Sequence, residues 1–219
     1  MSDTVGLSIF TSSLVVLTII VIQTSKVFSG QILTQRFLSG VVLAGPTLAT
    51  FNSADYVHTF RDTAAILPLV LVVAVIVITA TAIASRSEQH SKSYPHYHPP
   101  VWNAKHILLN GFSWSFYLVT YEILFRGYLL FSTAPERNFL LSVIVNVFLY
   151  AVAHIPKGLR ELLLSVPFGV VLCYLVIRTG NVWPAVFCHV LLALSNDYFS
   201  YKASRTYQTL QPWEPRILH

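Results

Sequence analysis

From Ala64 to Ala84 the chain carries no charged residue, and a backbone running through about 20 apolar residues is the length needed to cross a hydrocarbon core as an α-helix. Inside lipid every N–H and C=O must be satisfied within the segment itself, which is why such a run folds as a helix. Leu7 to Gln23 is equally free of charge. With 54% hydrophobic and only 11% charged residues over 219 positions, the chain lies outside the range of ordinary soluble domains. The expected fold is therefore all-α, a polytopic membrane bundle of about seven helices near 7–23, 31–51, 64–84, 107–131, 138–155, 160–178 and 182–201. The second segment is the weakest, because Arg36, Gly45 and Pro46 predict a kink or partial insertion.

Charge sets the orientation. If all seven segments span, Lys26, Arg86, Lys92, Lys105, Lys157, Arg160, Lys202, Arg205 and Arg216 fall on one side, and Arg61, Arg137 and Arg178 on the other. Cytoplasmic loops collect Lys and Arg, so the chain is read as an integral membrane protein with its C-terminus in the cytoplasm. Only Asp3 precedes the first apolar run, which reads as a retained span and not a cleaved leader. The net charge of +5 is scattered singly at segment ends, so membrane lipid is the expected partner and nucleic acid is not. Cys173 and Cys188 lie inside apolar segments and are spaced neither for a disulfide framework nor for a metal.

The one compositional break is the polar loop from Ser85 to Trp102. It divides the chain into 1–106, a scaffold of N-terminal helices plus the loop, and 107–219, a core that holds the intramembrane polar residues and a short tail. In that core Glu122 and Arg126 stand four residues apart, about 40° around a helix, where a guanidinium can grip a carboxylate with both nitrogens. A charge in hydrocarbon costs ~2.5–3.5 kcal/mol on insertion scales, so an intramembrane ion pair reads first as a functional site. His154 and His189 occupy two further segments, with Asn196 seven residues beyond His189. One acid, its basic partner and two imidazoles on three segments are the parts of an active site.

These residues resemble the motifs EExxxR, FxxxH and HxxxN of the CAAX protease and bacteriocin-processing (CPBP) family of intramembrane proteases. The first is present as Tyr121, Glu122 and Arg126, flanked by Phe125 and Gly127; the second as Tyr150 and His154; the third as His189, approached through Gly180, Asn181, Trp183 and Pro184. The likeness covers about residues 107–200. It implies a helical bundle around a cavity in which a glutamate activates water, two histidines bind or orient it and an asparagine supports the oxyanion. Carried over, Glu122 is the general base, Arg126 its orienter, and His154 and His189 hold the water, with Asn196 and Tyr121 as assisting donors. Tyr150 stands where the second motif has phenylalanine, and two further departures bear on activity: the first glutamate is Tyr121, and the final asparagine is Ala193.

The expected activity is intramembrane peptide hydrolysis near the membrane surface, on a peptide or membrane-protein substrate. The alternative is a catalytically silent relative that uses the polar cavity to bind a membrane partner, which Tyr121 and Ala193 favour; a transporter ranks third, for want of internal repeats. Glu122, His154 and His189 would also make a zinc set with an open fourth position, but no HExxH stands on one helix, and the expected mechanism is metal-free.

Each feature has a plainer reading. The ion pair can pin helices, His154 can reach the interface beside Pro156 and Lys157, and His189 can bond between helices. Glu161 reads as a solvated interfacial charge and a secondary candidate. His90, His96, His98 and His106 form a His-rich tract of a kind that can bind a metal, but Pro95, Pro99 and Pro100 mark it as an extended, poorly packed loop, while Trp102, Trp114, Trp183 and Trp213 read as interface anchors and packing.

Overall fold

The computed structural model describes residues 2–28, 31–51, 63–87, 90, 94–97, 99, 102–134 and 138–210. Seven long helices follow one another: α1 (Ser2–Thr24), α2 (Ile32–Phe51), α3 (Thr63–Ala84), α4 (Ala104–Glu122), α5 (Phe139–Val152), α6 (Leu159–Thr179) and α7 (Trp183–Leu210). No strand occurs among the described residues. The helices fall close to where the hydrophobic pattern predicts, because a backbone in hydrocarbon has to satisfy its own N–H and C=O groups. α7 continues nine residues past the expected end at 201.

Polarity is arranged inside out. On α1, Leu7, Phe10, Leu14, Leu17 and Val21 form an exposed stripe at helical spacing, while Ser8 and Ser12 are buried. On α3, Leu67, Leu71, Val75 and Ile76 face outward and Thr81 faces inward, where it donates to Ser195 of α7. Apolar surface of this extent calls for a bilayer as its solvent. Val5–Thr24, Ala65–Ala84 and Leu159–Thr179 are long and apolar enough to cross one by themselves. The chain is an integral membrane protein, and α2, α4 and α7 turn their polar residues toward the bundle interior.

α2 packs along α4, α3 along α7 and α5 along α6, with α7 also lying against α4. α2 is helical from Ile32 to Phe51 with Pro46 inside it, and Arg36 is buried and paired, its Nη1 donating to Asn110 Oδ1 at 2.7 Å with Asp197 nearby. The described residues of the His-rich loop correct the expectation of a poorly packed stretch: His90 and Tyr94 are buried and stacked, and the His96 N–H donates to Asp197. His98 lies outside the described residues. Trp114 serves packing, the second of its two expected roles; it is buried and donates its Nε1–H to Asp197 Oδ2 at 2.7 Å. Trp213, Lys92 and Arg216 lie outside the described residues.

α6 closes on Gly180, whose φ of +62° is the left-handed cap that glycine adopts without a Cβ penalty. Gly169 serves packing instead. A Cβ there would meet Tyr150 Cδ1 at 2.9 Å and Arg126 Nη2 at 3.5 Å, so only glycine lets α6 approach that pair. Tyr150 is fully buried and cannot give way. Gly169→Ala is therefore expected to cost ~1–3 kcal/mol by overpacking, read as a lower thermal midpoint in detergent. Gly111→Ala, whose Cβ meets nothing within 4 Å, should hold or raise it.

Candidate active site

α4 does not end at Glu122. It widens into a π-helix over Ile123–Leu129 and recovers in a last turn, Leu130–Ser132. A π-segment shifts the backbone register by one residue and is common at functional sites. The Leu130 N–H reaches back five residues to the Phe125 carbonyl, which also accepts from Asn146 Nδ2 of α5 at 2.5 Å. Asn146 Oδ1 in turn accepts from Cys173 Sγ of α6 at 3.4 Å. The altered stretch is thus held from two neighbouring helices, and it carries Arg126.

Glu122 Oε1 accepts from Arg126 Nη1 at 3.2 Å and from His189 Nδ1 at 2.5 Å. Both members of the Glu122–Arg126 pair are wholly buried. The expected two-nitrogen grip is not formed: Arg126 meets a single carboxylate oxygen, and its Cζ lies 4.1 Å over the Tyr150 ring. Glu122 Oε2 and Arg126 Nε and Nη2 have no hydrogen-bond partner among the described residues.

His189 places its Nδ1 on a carboxylate, so that nitrogen carries the proton and Nε2 is left as acceptor. The Tyr150 hydroxyl stands 3.4 Å from Nε2 and donates to it. His154 directs Nδ1–H to the Tyr150 carbonyl at 2.8 Å, an otherwise open carbonyl in the last turn of α5, and keeps Nε2 as its acceptor. Tyr150 thus touches all three: ring under Arg126, hydroxyl on His189, carbonyl on His154. The sequence offers it only as the residue four before His154.

A cavity of about 130 Å³ opens beside this cluster, lined by Tyr150, His154, Asn196, Glu161, Phe168 and His90 among others. His154 and Asn196 thus line the same cavity as Tyr150, whereas Glu122 and His189 do not line it. Glu161, read from sequence as a solvated charge, faces the same cavity. Burial and the nearby Arg160 hold His90 below its ordinary pKa, so it lines the wall as a neutral imidazole. The Tyr121 hydroxyl is buried without a partner, its ring stacked on Phe125 and edge-on to His189. Ala193 packs in the same core as Tyr121 and Tyr150. Among the described residues no group of three His, Cys, Asp or Glu side chains is arranged to hold a metal ion.

Residues 102–195 match the model of the Rce1-like family, described as type II CAAX prenyl endopeptidase Rce1-like. The match contains Glu122, Arg126, His154 and His189 and ends one residue before Asn196. No curated protein and no solved structure matches the chain.

Removing one partner of a buried ion pair strands the other, at ~3–5 kcal/mol. Arg126→Leu should lower thermal stability by that order, and adding Glu122→Gln should recover a good part of it. Equal losses in the single and double variants would show that the pair does not hold the helices.

Proposed function

We propose that this chain, whose residues 102–195 belong to the Rce1-like family, is a membrane-embedded endopeptidase that hydrolyses a peptide bond near the cytoplasmic membrane surface. The family's description names a CAAX prenyl endopeptidase, so the substrate we assign is a prenylated C-terminal polypeptide segment lying at that surface. The observation that carries the reading is the line Glu122, His189, Tyr150, running from a desolvated carboxylate to the edge of a cavity that His154 also faces.

In this scheme His154 Nε2 and Asn196 hold a water in the cavity. Its oxygen attacks the scissile carbonyl carbon while its proton passes through the Tyr150 hydroxyl to His189 Nε2. Glu122 stabilises the resulting imidazolium, and Arg126 orients Glu122. The C–N bond then breaks, and His189 returns the proton to the departing amine. Glu122 thereby acts as the partner of the base and not as the base itself, since a residue sealed behind His189 does not reach the cavity. The basic ends at Lys26, Arg86, Lys157 and Lys202 support a cytoplasmic placement of this face.

Glu122→Gln keeps the shape and removes the charge; peptide cleavage in proteoliposomes should fall ~10²–10⁴-fold, the range for acid–base groups. Tyr150→Phe, which keeps the ring under Arg126, should also lose at least ~10-fold. Undiminished turnover in Glu122→Gln sinks the mechanism and returns the chain to a silent binding role. The reading is also metal-free: activity should survive dialysis against a chelator, and restoration of lost activity by added zinc would oppose it.

A further inference from the structure

Glu161 is the one acidic side chain among the described residues that lines the 130 Å³ cavity, and the proton relay through Tyr150 does not use it. After His154 comes the short turn Ile155–Lys157, and Gly158, with a φ of +100°, reverses the chain into α6. Glu161, in the first turn of α6, is thereby returned to the cavity that His154 lines.

Tyr94 holds it from the loop side. The Tyr94 hydroxyl hydrogen-bonds the Glu161 side chain, and its buried ring stacks at 4.8 Å on His90, which lines the same cavity. One hydroxyl leaves most of a carboxylate free, since two oxygens offer about four acceptor positions. Lys157 senses the charge, but among the described residues no cation makes an ion pair with Glu161.

Around it the wall offers donors and neutral groups. Arg160 has donors only, and the Thr81 and Ser165 hydroxyls already donate to backbone carbonyls of their own helices. An N–H entering the cavity therefore meets one charged acceptor, and charge-assisted hydrogen bonds are roughly twice as strong as neutral ones. Hydrolysis of an amide needs such an acceptor. When water adds to the carbonyl carbon the nitrogen becomes pyramidal, and its lone pair has to face the proton that returns through Tyr150. Its N–H then has to point elsewhere. A carboxylate accepting that N–H fixes the orientation and leaves more electron density on nitrogen for the incoming proton. Once the C–N bond has broken, the new carboxylic acid gives its proton to the amine, which leaves as an ammonium.

We infer that Glu161 contacts the substrate in this reaction: its carboxylate accepts the N–H of the scissile amide and then holds the new ammonium of the released fragment. This rests on the endopeptidase reading and adds to it the residue that orients the leaving nitrogen. Tyr94 acts through Glu161, as a positioning residue.

The test uses a dansylated ten-residue peptide ending in S-farnesyl-Cys-Val-Leu-Ser and its ester analogue, in which oxygen replaces the nitrogen of the scissile bond and no N–H remains. Both are offered to the full chain in phosphatidylcholine proteoliposomes. Glu161→Gln should lower kcat/KM for the amide at least ~10-fold and change that for the ester less than about twofold. Tyr94→Phe, which keeps the ring and releases the carboxylate, should move the amide in the same direction. A purely structural role would lower amide and ester together; that result, or an unchanged amide rate, overturns the inference. Inhibition of the wild-type chain needs no variant. At about pH 7, below the α-amino pKa of ~7.7–8.0, Val-Leu-Ser with a free amino terminus should inhibit at least ~10-fold more strongly than its N-acetyl form, and equal inhibition overturns the inference as well. A wild-type chain that cleaves neither substrate sinks the endopeptidase reading itself, whereas cleavage with equal losses on amide and ester in Glu161→Gln sinks only the part given to Glu161.

Discussion

A carboxylate with no access to water organises this bundle. Glu122 is wholly buried, and Arg126 on its own helix and His189 on α7 both donate to one of its oxygens, as a buried carboxyl group requires. Removing water from an ion makes each partner worth more and each missing partner more costly. The requirement fixes how α7 lies against α4, and through the Tyr150 hydroxyl on His189 it fixes α5 as well. Gly169 then becomes obligatory on α6, because the Tyr150 ring and the guanidinium fill the space where a side chain would stand.

The same seam carries a second buried charge centre toward the other end of α4. Arg36 of α2, Asn110 and Trp114 of α4 and Asp197 of α7 converge there. The two centres use the same two helices and differ in their balance. At Glu122 one oxygen takes both cation-capable donors and the other takes none, whereas at Asp197 three neutral donors are shared over both oxygens; at each centre the arginine keeps Nε and Nη2 without a hydrogen-bond partner among the described residues.

Much of the fold was legible because hydrocarbon thickness imposes one length and one backbone solution on every span. Ala64–Ala84 admits few alternatives, whatever surrounds it. Glu122, Arg126, His154 and His189 were legible for a related reason: ionisable groups in apolar runs are costly and therefore rarely idle. What was hidden depends on partners far apart in the chain. Arg36 read as a flaw in α2 because Asp197, more than a hundred residues away, supplies what makes it tolerable. The loop around His90–Tyr94 read as unpacked because its prolines are local, whereas the stacking and the Asp197 contact are not. The π-helix has no local signature in Ile123–Leu129; it is held by Asn146, a residue that looks like any polar position on α5. Ideal α-helical spacing consequently overstated the grip of Arg126 on Glu122.

Tyr121 and Tyr150, the two tyrosines at motif positions, are best understood together through charge. A carboxylate at position 121 would sit beside Glu122 in a dry interior, and two such groups cannot both ionise, so one would be driven neutral. Tyrosine removes that competition and leaves Glu122 the single anion to which Arg126 and His189 respond. Tyrosine at position 150, where a phenylalanine would supply only the face under Arg126, adds a hydroxyl that meets the acceptor nitrogen of His189. A phenylalanine there would leave that nitrogen buried behind an apolar ring. On the proposed reading the two substitutions are complementary: the first keeps a single anion in the cluster, and the second gives its imidazole partner a route to the cavity where His154 and Asn196 wait.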